Sequence, residues 1–183
     1  MSEESPFRNP AAGASGAAAG YVAALVELVG GRDPLAVMDE LVPEVRRLAA
    51  DLDAGALATP EAPGKWSVVE VVQHLADSEI VIGYRLRVTV AEDRPALAGY
   101  DQDAWATRLG YREVELADAL AQLEALRTAN LRWLRTLSAE ERRRVGIHAE
   151  RGEESVDQLL VLVAGHDLVH RRQIERIRRA IGR

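Results

Sequence analysis

From residue 21 onward, apolar positions recur at intervals of three and four, the period of an amphipathic helix, and no sustained strand-like alternation interrupts them. Residues 21–29 predict a short helix closed by Gly30 and Gly31, which suit the left-handed residue that ends many helices. Asp33 before Pro34 reads as an N-cap with proline at the first helical position. Pro43 lacks an N–H and its ring collides with the preceding turn. A junction is therefore expected near Val42, with a further segment over residues 43–53. Residues 55–65, with Pro60 and Pro63, read as a loop.

Ser67-Val-Val-Glu70 has the form of a capping box and opens a helix expected to run to about residue 90. The polar connection that follows, 92–111, is long and carries Pro95, Gly99, Tyr100 and Trp105. Ordered loops of that length are more often functional than not. Residues 113–137 form a periodic helix with Leu116, Leu120, Leu123, Leu126, Leu134 and Leu137 on its stripe. A charged connector, 138–154, leads to a second capping box, Ser155 with Gln158, and a last helix ending near Ile181. Four main helices with short extra N-terminal ones predict an all-α, antiparallel four-helix bundle. Residues 1–20 are small and polar, so a disordered tail is expected there, with one domain over 21–183.

Composition narrows the chemistry. The chain has 183 residues, 23 basic against 29 acidic, for a net charge of −6. Aromatic residues make up only 4 % against 48 % hydrophobic, so the core must be built from Ala, Val, Leu and Ile. Lys65 is the single lysine, and arginine dominance with abundant alanine reads as the bias of a GC-rich bacterial genome. No cysteine is present, which excludes disulfides, thiolate metal sites and cysteine nucleophiles. No apolar run approaches a membrane span and the N-terminus lacks a secretory pattern, so a cytoplasmic protein without membrane contact is expected.

Four histidines are left for soft-ligand chemistry. On the last helix Val156, Leu159, Leu160, Val163, Ile174, Ile177 and Ile181 mark the buried side, and His166 and His170 fall on it four residues apart. Each is either a hydrogen-bonded core residue or half of a metal site, because buried ring nitrogens need partners. His74 lies about two turns into the Ser67 helix, in line with Val71, Ser78 and Ile82, where a bundle can bring it to the other two. Three histidines on one ion leave positions open for water or substrate. His148, in the charged connector, is expected to be exposed.

The string Gly64-Lys65-Trp66-Ser67-Val68-Val69-Glu70-Val71-Val72-Gln73-His74-Leu75-Ala76-Asp77-Ser78-Glu79, with Gly165-His166-Asp167-Leu168-Val169-His170-Arg171-Arg172-Gln173-Ile174 at the far end, resembles the DinB/YfiT-like superfamily. Tyr84-Arg85-Leu86-Arg87, Asp93-Arg94-Pro95, residues 100–105, and His148 with Gly152 are similar as well, so the resemblance covers residues 21–181. It implies a four-helix bundle, often a homodimer, with a divalent metal held by His74, His166 and His170. Family members with assigned roles include transferases using low-molecular-weight thiols such as bacillithiol, and thiol-dependent isomerases. Many others carry only the provisional name of metal-dependent hydrolase.

Imidazole ligands are neutral, so such an ion keeps its positive charge and acidifies a water or thiol beside it. It could be zinc, nickel or iron. A small-molecule substrate is implied, and any thiol must arrive as a cosubstrate because the chain has none. Glu70, Asp77 and Asp167 are the nearby carboxylates that could act as acid or base, or could cap helices and orient rings. Tyr100 and Trp105 either cover the site mouth or simply pack. Residues 171–183 hold six arginines and one glutamate, which reads as a solvated face; the acidic chain predicts no nucleic-acid partner. Two functions follow: a metal-dependent thiol transferase or hydrolase, or a non-catalytic metal-binding module for stress response or sensing.

Overall fold

The computed structural model describes residues 15–183. In chain order it contains α1 (Ser15–Val29), α2 (Pro34–Ala49), α3 (Ala54–Ala58), α4 (Val68–Ala91), β1 (Ala96–Leu97), α5 (Gln102–Arg108), a 3-10 turn (Tyr111–Glu113), α6 (Leu116–Leu134), α7 (Ala139–Arg143), β2 (Val145–His148), β3 (Gly152–Ser155) and α8 (Val156–Ala180). The bundle consists of α2, α4, α6 and α8, with α1 laid along α8. No helix among the described residues is long and apolar enough to cross a membrane.

The helix starts follow local chemistry. Asp33 accepts from the Leu35 N–H at 3.1 Å, with Pro34 at the first helical position. Ser67 with Glu70 and Ser155 with Gln158 form reciprocal capping boxes. A third, Ser138 with Glu141, opens α7.

Four expectations are corrected. Helix α1 begins at Ser15, so residues 15–20 belong to it and not to a tail; the rest of that proposed tail lies outside the described residues. Pro43 sits inside a continuous α2. Its local cost of about 3 kcal/mol is offset because Leu41, Val42, Val45 and Leu48, on both sides of it, enter one core cluster. The stretch 138–154 is no plain connector: it holds α7 and the β2–β3 hairpin, which turns through Gly152 at φ +79°. β2 also pairs in parallel with β1, Ala96 opposite Ile147 and Leu97 opposite His148. That pairing buries His148, contrary to the exposure expected for it.

The core is divided. One apolar cluster gathers Leu41, Val45, Val71, Leu75, Leu120, Leu123, Ile174 and Ile177. The other gathers Leu35, Met38, Leu86, Leu131, Leu134, Leu159, Leu160 and Val163. Helices α4 and α6 run from the first cluster to the second, whereas α2 and α8 run from the second to the first. Neighbours α4 and α6 are thus parallel, as are α2 and α8, so the expected antiparallel arrangement holds between these two pairs and not within them. Residues 92–115 are long because they must carry the chain back along the bundle. Between the clusters lies a buried polar layer: His74, Asp77, Ser78, Glu79, Arg127, Asn130, Asp167 and His170.

Candidate metal centre

The polar layer brings together the three histidines that the sequence placed on two helices. His74 Nε2 lies 3.1 Å from His166 Nε2, which lies 3.0 Å from His170 Nε2. One ligand atom from each ring falls within 4.8 Å of the others, a grouping that could hold a metal ion. The i, i+4 spacing sets the His166 and His170 rings with centroids 4.3 Å apart. Gly165 allows this side of α8 to be covered: a Cβ there would come within 2.7 Å of the Leu25 Cβ and 2.8 Å of its carbonyl oxygen, on α1. Trp66 closes another side, its ring centroid 4.9 Å from His74 and 6.5 Å from His170.

Burial sets the protonation state. It pushes His74 and His170 well below the usual imidazole range, and the mutual repulsion of charged rings adds to the effect. His166 falls to about 4, through burial and then the nearby Arg127 cation. All three rings are therefore neutral at pH 7. His170 Nδ1 lies 2.8 Å from Gln173 Oε1, so Nδ1–H donates and the Nε2 lone pair faces the other rings. His74 Nδ1 is buried with no partner among the described residues.

These residues fit a metal. Neutral imidazoles, with one lone pair fixed inward by an outer hydrogen bond, are the donor set a divalent ion takes. Bonds of about 2.0–2.1 Å in tetrahedral geometry would hold two ligand nitrogens roughly 3.3 Å apart, close to the separations seen.

The site opens on a cavity of about 90 Å³ lined by His166, Ser78, Tyr21, Tyr100, Arg85 and Arg151, with apolar walls from α1, α4 and α8. Ser78 Oγ is 3.0 Å from the Tyr100 hydroxyl and 3.5 Å from His74 Nε2. Tyr100 thus reaches in from the long connection, and Trp105 packs on it with centroids 4.8 Å apart. Burial raises the hydroxyl pKa of Tyr100, and that of Tyr21 to about 12, so both remain hydrogen-bond donors at neutral pH.

The three carboxylates named from sequence all have other partners. Glu70 accepts from the Ser67 N–H at 2.8 Å and from Arg112 Nε at 2.9 Å. Asp77 accepts from Gln73 and Gln122 on one oxygen, at 3.1 and 3.0 Å, and from the Tyr111 hydroxyl on the other, at 2.7 Å. Asp167 takes a bidentate contact from Arg127 at 2.6 and 3.0 Å, while burial raises its pKa against the pull of that cation. His148 stands apart from the triad, accepting the Glu150 N–H on Nδ1 at 3.2 Å. The arginine-rich end of α8 is engaged with α2 and its flanks: Arg171 with Glu40 and Glu44, Arg176 with Glu61, Arg178 with Asp51.

Sequence reasoning gave no role to Arg85, Arg127 or Tyr111. A signal existed for Arg127, which takes the position after Leu120 and Leu123 on the buried stripe of α6, where the period calls for an apolar residue.

Residues 39–174 match the sequence pattern of the DinB superfamily. Among curated proteins, YfiT of Bacillus subtilis is 29 % identical over 150 residues, covering 80 % of this chain and 83 % of the relative. A protein of Oceanobacillus iheyensis is 29 % identical over 133 residues, covering 73 % and 77 %. Both carry the provisional name of metal-dependent hydrolase. A solved structure of B. subtilis YfiT, described as a probable metal-dependent hydrolase with an unusual four-helix bundle topology, superposes with a TM-score of 0.76 at 27 % identity. It covers 81 % of this chain and 86 % of that one. With three-quarters of its length inside the family pattern and the same bundle, the chain belongs to the DinB superfamily.

Proposed function

We infer that His74, His166 and His170 hold one divalent ion, and that the protein uses it to transfer a low-molecular-weight thiol to a small electrophile. The observation that carries this reading is the convergence of three neutral imidazoles on one point beside a cavity. Once bound, zinc, nickel or iron supplies a Lewis acid that lowers the pKa of a coordinated thiol or water.

The chain's own groups favour the thiol. A free thiol has a pKa near 8.5, whereas bulk water stands near 15.7, so water needs far more help from a base. Glu70, Asp77 and Asp167 are occupied by Arg112, by Tyr111 with two glutamines, and by Arg127. None is free to take a proton at the triad. In the Ser78–Tyr100 pair one hydroxyl donates to the other, which leaves one O–H to orient a substrate, and Trp66 keeps solvent from one side. Hydrolysis, which the names of the relatives suggest, is the second catalytic form of this reading.

The same occupied carboxylates favour one alternative, a non-catalytic module for stress response or sensing in which the ion mainly ties α4 to α8. Elemental analysis of wild type and a His166→Ala variant, followed by a conjugation assay with bacterial thiols and electrophiles, separates them. About one ion per chain in the wild type, lost in the variant together with turnover, supports the transferase. A metal-free wild type that resists reconstitution overturns both. Bound metal whose removal lowers Tm, with no turnover against the panel, supports the module. A cytoplasmic homodimer completes the proposal, motivated by Ile80 and Tyr84, which are 49 % and 64 % exposed on one side of α4. Light scattering should give twice the chain mass of 20.0 kDa, and a particle of the single mass would contradict it.

A further inference from the structure

Among the described residues two arginines are buried in the bundle, and one of them is neutralised. Arg127, 3 % exposed, lies against Glu79 and Asp167. Arg85, 7 % exposed and about three turns of α4 beyond His74, has no carboxylate within ion-pair distance among the described residues. Its Nε donates to the Ala98 carbonyl at 3.1 Å, and Nη2 donates to the same oxygen. Both donors on one edge of the guanidinium are thereby engaged, which leaves the outer Nη1–Nη2 edge. Arg85 lines the same cavity as His166.

A buried guanidinium without an anion is expensive unless something supplies the missing charge. The nearby carboxylate of Glu154 does not, because Arg151 already holds it, Nη2 donating to Oε2 at 2.9 Å. We propose that Arg85 receives the carboxylate of the small-molecule substrate on its free edge, with the apolar body of that substrate against Leu25, Leu75, Ile82, Leu159 and Val163 and its reacting end at the histidine triad. Only the last clause rests on the metal-dependent function proposed above. A carboxylate matches the two-pronged edge in shape and the single unpaired cation in charge. A phosphate dianion would leave one negative charge buried without a partner. Tyr100 and Tyr21, both kept protonated, add donors around the same space.

Isothermal titration of the whole chain with hexanoate, hexan-1-ol and hexylamine tests this, on metal-loaded and on chelator-treated protein. Hexanoate should bind wild type at least about tenfold more tightly than the alcohol, with the amine weakest, in both metal states. In Arg85→Gln the acid and the alcohol should fall within about twofold of each other, with metal content unchanged. The comparison within wild type does not depend on the variant folding. Equal affinity for acid and alcohol in the wild type overturns the proposal, as does a preference that survives Arg85→Gln. A preference that disappears on chelation also overturns it, because the ion would then be the anion's partner, and leaves the metal reading intact. A preference measured in protein that never takes up metal supports Arg85 and removes the metal reading alone.

Discussion

Two buried polar clusters share the layer between the apolar halves of the core, and they are built on opposite plans. In the first, Arg127 of α6 reaches Asp167 of α8 at 2.6 and 3.0 Å, Glu79 of α4 at 2.9 Å and the Met38 carbonyl of α2 at 2.9 Å. Asn130 donates to the second oxygen of Glu79 at 2.9 Å. Every bundle helix contributes, and opposite charges face one another. In the second cluster three like groups face one another, with nitrogens 3.0 and 3.1 Å apart and no counter-charge between them. The Arg127 cluster is neutralised in charge, and in that sense closed, and it holds the bundle's waist together, with Arg127 Nε its one buried donor lacking a partner among the described residues. The histidine cluster is open, and its residual need is what a ligand can satisfy. Burial alone therefore does not mark a site; each cluster leaves one nitrogen without a partner, and what separates the two is whether opposite charges answer one another.

The largest effect should come from opening the closed cluster. Arg127→Leu leaves Glu79 and Asp167 buried without their cation, which should cost about 3–5 kcal/mol in urea unfolding followed by circular dichroism. Adding Glu79→Gln and Asp167→Asn to the same variant should restore most of that loss, because the orphaned charges are gone. A single variant within about 1 kcal/mol of wild type would break the comparison, since it would show that the ion-paired cluster does not hold the helices.

The open cluster should show itself through protons. His166 titrates near 4 in the folded chain against 6.5 in the unfolded one, and His74 and His170 are displaced in the same direction. Above 6.5 neither state binds a proton at these rings, and stability is unaffected by them. Between 6.5 and 4 the unfolded chain takes up protons that the buried rings refuse, so stability falls as pH falls. For His166 alone the loss is roughly 3 kcal/mol at the lower limit. Chelator-treated protein, melted at steps from pH 7.5 to 4.5, should lose Tm steadily below 6.5, whereas His166→Ala should flatten part of that slope. A Tm independent of pH across this window would show the rings are not held neutral.

The parts of this arrangement that were legible in sequence are those carried by contacts over three or four residues. The caps at Asp33, Ser67 and Ser155 are side chains bonding to N–H groups of the next turn, and each appears where its motif stands. His166 and His170 share a face because 3.6 residues make a turn. The Ser138–Glu141 box was equally local, but it opens a helix of five residues and was hidden in a run of charge. The β2–β3 hairpin is local too, but its strands of four residues are too short to show alternation. What else was not legible depends on distant partners. The pairing of Ala96 and Leu97 with Ile147 and His148 comes from before α6 in the chain, which no local pattern announces. Pro43 carries a local break signal that burial on both sides overrides. The convergence of His74 with the other pair was a bundle-level inference that spacing could not show and that the family resemblance then supported; the emptiness of Arg85's outer edge was not readable at all.

The smallest effect is the most direct check on the boundary between closed and open. Tyr111, 1 % exposed, donates its hydroxyl to Asp77 Oδ2 at 2.7 Å, and Asp77 keeps both glutamine contacts on its other oxygen. Burial and the adjacent carboxylate both raise the Tyr111 pKa, so the hydroxyl is protonated and donating at any working pH. Tyr111→Phe removes one hydrogen bond to a charged acceptor without emptying space, which should cost about 1–2 kcal/mol. Asp77 lies one turn after His74 on α4, yet its oxygens point to the 3-10 turn and α6. If it belongs to the closed set, the variant should keep its full metal content and lose only stability. Loss of metal from Tyr111→Phe, at unchanged far-ultraviolet circular dichroism, would show that Asp77 orients a histidine, and the division between the two clusters would have to move to include it.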